Sequence, residues 1–373
     1  MFFSRKSPKP SAAWQAVVDY LADYFVLPKD EVTLWCSDHN TDGSASGISI
    51  TFPFANQTQW PFIQAGIARA LQSAKAEVDV TLKQQINAGQ TAKPPVTNIR
   101  NIIAVASGKG GVGKSTTSIN MAFALMQEGA RVGILDADIY GPSVPIMLGN
   151  TSERPSTTDN KHMQPLEAHG LVANSIGYLV PADDAAVWRG PMASKALSQL
   201  LNETRWPVLD YLIVDMPPGT GDIQLTMAQQ VPLTAALVVT TPQDLAIADA
   251  QKGIAMFNKV NIPVLGLVEN MSYYQCTACG HKDYIFAKDG GNVLAERYGL
   301  PLLGALPLDI QIREHAGSGK PLLLSAPDGP LAEAYRDMAR AVSLELATTV
   351  PVAEAQSKHI KGDPIAFNPL KDN

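Results

Sequence analysis

The clearest chemistry in the chain lies in Ser-Gly-Lys-Gly-Gly-Val-Gly-Lys-Ser-Thr-Thr at 107–117. Gly108, four further residues, Gly113, Lys114 and Ser115 fit the phosphate-binding pattern G-x-x-x-x-G-K-[ST]. The stretch Gly108, Lys109, Gly110, Gly111, Val112 and Gly113 would wrap the phosphates with backbone N–H groups, which glycine lets turn inward. A helix opening at Lys114, Ser115 and Thr116 adds partial positive charge at its N-terminus. Lys114 would reach the β- and γ-phosphates, and the Ser115 hydroxyl would ligate Mg2+. Gly108, Gly110 and Gly113 also spell G-x-G-x-x-G, and the next strand ends in Asp136, as in a dinucleotide fold. Two features decide against a dehydrogenase. Lys114-Ser115 has a role only in a P-loop, and Asp215 ends the apolar run LIVD as a Walker B carboxylate should. The sequence NKVN at 258–261 lacks the aspartate of a guanine-reading motif, which favours ATP.

A second constellation is Cys276-Thr-Ala-Cys279-Gly280-His281. Structural zinc and cubane iron–sulfur clusters want about four protein ligands, and here only two thiols lie together. The chain has three cysteines, and Cys36 stands far upstream in strand-like surroundings that suit a small buried apolar residue. A zinc knuckle would use Gly280 to aim N–H groups at sulfur and His281 as a third ligand, and would still lack a fourth. A redox pair normally opens a helix, which CGHKDYIF does not resemble. Thiolate chemistry alone leaves zinc and iron–sulfur open, with zinc slightly ahead.

These residues need a scaffold. At 373 residues the chain has room for about two domains. Residues 1–86 read as a small α+β domain: helix AAWQAVVDYLADYF, strand GISITFPFA, helix FIQAGIARALQSAKAEV and strand VDVTL. Residues 87–100 read as a linker rich in Gln, Pro, Thr and Ala. From 101 to 350, apolar strands alternate with helices: 101–107, 131–138, 209–216, 235–241, 263–270 and 301–307. Such runs predict an α/β domain, a mainly parallel sheet flanked by helices on both faces. Residues 351–373 read as a flexible tail.

Hydrophobic residues make up 46% and charged residues 17%, an ordinary globular balance. A net charge of −6 argues against general binding to nucleic acid or membrane surfaces. No run approaches the ~20 apolar residues of a membrane helix. The start MFFSRKSPKPSAAW lacks the apolar core of a secretory leader. Few cysteines and no leader predict a cytoplasmic protein.

Lys109, directly after the first glycine, gives KGGxGK[ST], which resembles the deviant Walker A loop of MinD, ParA and nitrogenase iron-protein type ATPases. ASGKGGVGKST, ILDADIYGPS, WRGPMASKAL, DMPPGTGDIQLT, VENMSYYQCTACG and PLLGALPLD together resemble the Mrp/ApbC branch, iron–sulfur cluster carriers, over about residues 98–345. The N-terminal unit more weakly resembles an iron–sulfur-assembly domain. The resemblance implies a homodimer in which Lys109 crosses to the partner's nucleotide, as an arginine finger does. It implies that Asp138 positions the attacking water and Asp136 is an outer-shell Mg2+ partner, beside Ser115 and Asp215. Pro217–Gly221 would be a switch loop that senses the γ-phosphate, with Asp222 holding it or capping the next helix. Asn270 would contact adenine, and Arg189 would serve an interface or a switch. Cys276 and Cys279 from each subunit would hold one [4Fe–4S] cluster, destined for apo iron–sulfur proteins and exchanged with cluster-assembly proteins. A slow ATPase with Mg2+ is implied. The contrasting class is a MinD/ParA-like positioning ATPase with a zinc knuckle, although the last helix, LAEAYRDMARAVSLELA, shows no basic membrane-binding face.

Overall fold

The computed structural model describes residues 11–39, 47–179 and 190–353. They fall into two compact units, one ending at Ile86 and one beginning at Asn87. The smaller unit is built from α1 (Ala12–Phe25), α2 (Lys29–Thr33), β1 (Cys36–His39), β2 (Gly47–Phe52), α3 (Trp60–Ser73) and β3 (Asp79–Gln84). Its sheet has the order β1-β2-β3, antiparallel then parallel. Phe25, Trp35, Phe52 and Phe54 stack edge-on or tilted against one another to make its core. Cys36 is half-buried on β1, and burial pushes its thiol up to about 12.

The larger unit runs β4 (Ile99–Ala106), α4 (Lys114–Gln127), β5 (Val132–Asp136), α5 (Val144–Leu148), β6 (Leu166–Ala168), β7 (Leu171–Ser175) and α6 (Gly190–Asn202). It continues β8 (Leu209–Asp215), α7 (Asp222–Gln230), β9 (Ala235–Thr240), α8 (Asp244–Lys259), β10 (Val264–Gln275), β11 (Lys282–Asp283), α9 (Gly290–Tyr298) and β12 (Leu302–Pro307). It closes with α10 (Ile310–Gly317), α11 (Leu322–Ser325) and α12 (Pro330–Thr349). The nine-stranded sheet has the order β11-β10-β9-β4-β8-β5-β7-β6, with β12 also on β10. Every pairing among β7, β5, β8, β4, β9, β10 and β12 is parallel. The central strands are buried at nearly every position, because helices cover both faces. α12 starts at a proline, where no intrahelical N–H is needed. It buries Tyr335, Met338, Ala339, Val342 and Leu346, a helical spacing, against α4 and β12.

The topology fixes the site's position. β4 and β8 are adjacent parallel neighbours, and β5 lies beyond β8. Their C-terminal ends therefore bring Ser107, Asp215 and Asp136 to one edge of the sheet, where a ligand binds in open α/β folds.

Two boundaries differ from the sequence reading. The segment expected as a linker is docked: Asn101, buried in β4, donates from Nδ2 to the Asn87 carbonyl (2.8 Å) and accepts from Gly89 N–H (2.9 Å). A buried amide must find partners, and this one finds them on the incoming chain. The first residues of the expected tail are pinned there too. Gln90 N–H donates to the Pro351 carbonyl (2.7 Å), and Ala353 N–H donates to that of Ala88 (2.9 Å). The rest of the tail, 354–373, lies outside the described residues, as does Arg189.

Candidate functional site

The loop after β4 turns through left-handed backbone at Gly111 (φ 81°) and Gly113 (φ 82°) and hands the chain to α4 at Lys114. A Cβ at Gly113 would stand 2.1 Å from Asn270 Nδ2, so only glycine fits. Nothing lies within 4 Å of the Cβ position at Gly111, which leaves that side of the loop open. The loop is thus braced on one face and free on the other, as a phosphate cradle requires.

Lys114 is buried in an acidic setting. Its Nζ donates to Asp215 Oδ1 (2.8 Å) and Ser115 Oγ (3.2 Å) and stands 3.9 Å from Asp138 Oδ2. Ser118 Oγ, one helical turn on, also donates to Asp215 Oδ1 (2.7 Å). Asp215 is 0% exposed, and its second oxygen, Oδ2, is buried with no hydrogen-bond partner. Asp136 accepts from the N–H groups of Asp138, Ser143 and Val144 and from Ser175 Oγ, all at 3.0–3.1 Å. It therefore fixes the loop that carries Asp138. Burial, and then the charge of Asp215, raise the Asp136 carboxyl to about 7. Burial also raises Asp138, against the pull of Lys114.

Asp136, Asp138 and Asp215 thus face one buried lysine. Excess buried carboxylate with an orphaned oxygen fits a divalent cation, because hard oxygens suit Mg2+. Ser115, next to Lys114 at the loop's end, stands on the same edge.

Backbone and side-chain hydrogen bonds tie the neighbouring loops to this centre. Gly219 N–H donates to the Ser107 carbonyl (2.9 Å), tying the loop after β8 to the end of β4. Gln224 Nε2 donates to the Pro217 carbonyl. Asp222 is exposed in the first turn of α7, where a negative charge suits the helix N-terminus. Lys109 points at its own chain: Nζ lies 3.1 Å from Gln243 Oε1, just before α8.

Asn270, expected at the base, is directed at the loop, its Nδ2 donating to the Val112 carbonyl (2.9 Å). The strand bearing Asn270 runs past the expected end at residue 270. Met271 takes a left-handed φ of 56°, the register against β12 shifts between Glu269 and Tyr273, and β10 continues to Gln275. Glu269 beside it is buried, accepting from Ser272 Oγ (2.7 Å) and from Gly291 N–H.

At the end of β10 the chain makes the cysteine turn. Cys276 N–H donates to the His281 carbonyl (2.9 Å), and Gly280 N–H returns to the Cys276 carbonyl (2.8 Å) at φ 74°. The N–H groups of Cys279 and Ala278, and the Cys279 thiol, hold the Cys276 thiol below its ordinary pKa. Cys279 is exposed. Among the described residues, no His, Asp or Glu side chain joins the two thiols in a group of three that could hold a metal. His281 therefore does not complete a knuckle within one chain. The turn joins two strands and opens no helix, unlike a thioredoxin-type pair.

The structure thus gathers the P-loop, Asp136, Asp138, Asp215 and Asn270, and sets Cys276 and Cys279 apart at the end of β10, roughly 20 Å further along an extended chain. Sequence reasoning missed Ser118, Ser175, Gln224, Gln243 and Glu269. Only Ser118 had a local signal, its spacing of one helical turn from Lys114.

Residues 98–343 match the family model described as ParA: NUBPL iron-transfer P-loop NTPase. The chain is 51% identical over 313 residues to the iron-sulfur cluster carrier protein of Haemophilus influenzae, covering 82% of this chain and 83% of that one. It is 45% identical over 283 residues to the iron-sulfur cluster transfer protein NUBPL of Dictyostelium discoideum, covering 74% and 88%. A solved nucleotide-binding protein of Archaeoglobus fulgidus, in complex with ADP, superposes with a TM-score of 0.56 at 33% identity, over 64% of this chain and 93% of that one.

Proposed function

The chain belongs to the NUBPL iron-transfer P-loop NTPase family, and on that premise we propose that it is an ATP-driven iron–sulfur cluster carrier working as a homodimer. ATP binds at the loop 108–116, with Lys114 on its phosphates and Asn270 near its base. Mg2+ would be held by Ser115 and by Asp215, whose Oδ2 is buried and unpaired, with Asp136 in the outer shell. There it would neutralise phosphate charge. Asp136, saturated by its own loop, keeps Asp138 in place to orient the attacking water. The partner's Lys109 would add positive charge as the phosphoryl group leaves. Hydrolysis is slow, since such a site times a cycle.

The cargo is a [4Fe–4S] cluster held by Cys276 and Cys279 of both subunits and passed to apo-proteins. One observation carries this assignment: a half set of ligands, with N–H groups holding the Cys276 thiol below its ordinary pKa, and no third ligand beside it among the described residues. Two copies would complete the four thiolates. No helix among the described residues is long and apolar enough to cross a membrane, and we place the carrier in the cytoplasm. We also read residues 1–86 as an accessory module, with 101–350 as the ATPase.

The test is anaerobic purification with iron, sulfide and zinc counted per subunit alongside the mass. About two irons per subunit in a dimer support the reading. Half a zinc per subunit, or undiminished iron–sulfur absorbance in Cys276→Ala/Cys279→Ala, refutes it.

A further inference from the structure

The Lys109 side chain is held by one residue of its own chain. Ser107 Oγ donates to the Lys109 carbonyl (2.9 Å), fixing the backbone, while Nζ reaches Gln243 Oε1 at 3.1 Å. Gln243 occupies the N-cap position of α8, yet its side chain caps nothing there. Glutamine is a poor choice for that position, where Ser, Thr, Asp or Asn would bond the helix N–H groups. The lysine contact is what the side chain does instead.

The two residues stand on parts that pack directly together. A Cβ at Gly108 would come 2.2 Å from the Asp249 carbonyl carbon, so the first glycine of the loop lies directly on α8. Among the described residues Lys109 makes no ion pair. Its partner is a neutral amide, and a lysine on an amide is held less tightly than one on a carboxylate.

We propose that Gln243 is a positioning residue for Lys109: it holds the lysine in cis and yields it to the partner's nucleotide phosphates when two copies associate. This rests on the homodimer reading above. A neutral acceptor suits the task. It keeps the lysine extended along the loop's edge, yet phosphate oxygens outcompete it. Gln243 thereby sets the nucleotide concentration at which the two copies close, separately from the contacts that bind nucleotide to one copy.

The experiment uses the full chain with Mg2+ and a non-hydrolysable ATP analogue, followed by sedimentation velocity across a nucleotide titration. Wild type, Gln243→Ala and Gln243→Glu are compared, and a fluorescent nucleotide at dilute protein reports binding to the single copy. Gln243→Glu turns the contact into a salt bridge and should raise the half-dimerising concentration about tenfold. Gln243→Ala frees the lysine and should lower it a fewfold, while dilute-protein affinity moves less than twofold in both. Opposite shifts support the proposal, because a merely structural role would move both variants the same way. Shifts of one sign, or none in a wild type that dimerises, overturn it and leave the homodimer reading standing. A wild type that binds the analogue and stays monomeric overturns both.

Discussion

The Asn270 amide donates to the Val112 carbonyl at 2.9 Å, and the strand that carries Asn270 ends one residue before Cys276. The nucleotide loop and the cysteine turn are therefore bound to one continuous strand. That strand has a defined weak point between them, the left-handed Met271 and its register shift. Asn270→Ala leaves the buried Val112 carbonyl unpaired and opens space against Gly113. The loss should be about 1–3 kcal/mol, or roughly 5- to 150-fold in ATP affinity by calorimetry. Iron retention should also cease to respond to nucleotide; retention that still responds would mean the strand does not couple the two sites.

Lys114→Ala should destabilise the fold as well as abolish hydrolysis. It leaves Asp215, Asp138 and Asp136 buried without a cation, at a cost of about 3–5 kcal/mol. Thermal melting without nucleotide checks this. Adding Asp215→Asn should recover part of the stability and none of the turnover, which separates electrostatic strain from lost catalysis.

Asp136 gives a pH signature. Its folded pKa, about 7, lies above the unfolded value of 3.8. The folded protein therefore binds this proton more tightly, and stability falls as pH rises. The contribution is complete below about 4 and lost through about 7. Asp136→Asn should lower stability overall by removing hydrogen bonds, yet flatten its decline between pH 4 and 7. Denaturant titrations across that range test the slope; parallel curves for the two proteins would sink the idea.

Gly280→Ala should act on cargo alone. The turn needs φ 74° at this position, which an L-residue adopts at a cost of about 1–2 kcal/mol. A distorted turn should shorten the lifetime of the reconstituted cluster several-fold, read from visible absorbance under anaerobic dilution. Nucleotide affinity should stay within twofold, because the nearest atom to a Cβ there is the flexible end of Gln275.

The sheet was legible in the sequence because its strands are buried on both faces and appear as apolar runs; each expected strand of the larger unit is present. The β6–β7 pair was not, being short and carrying Asn174 and Ser175 inside. The far half of β10 was hidden because Glu-Asn-Met-Ser breaks the apolar run where the chain bends. The residues of the phosphate-loop motif could be read one by one from the sequence. The supports of the site could not be: Ser175 meets Asp136 from 39 residues away and Gln243 meets Lys109 from 134, distances over which only the fold makes neighbours.

The docked segments at Asn87–Gln90 and Pro351–Ala353 bond to each other, so the described part of the larger unit begins and ends side by side. A module with adjacent ends can be spliced into or out of a longer chain with no stretch of its interior, as successful domain insertions require. The ATPase is in this sense a plug-in part. Flanking segments can be gained, exchanged or shed by recombination at a single point of the surface, while the phosphate loop and the cysteine turn, both well inside these ends in sequence, remain intact.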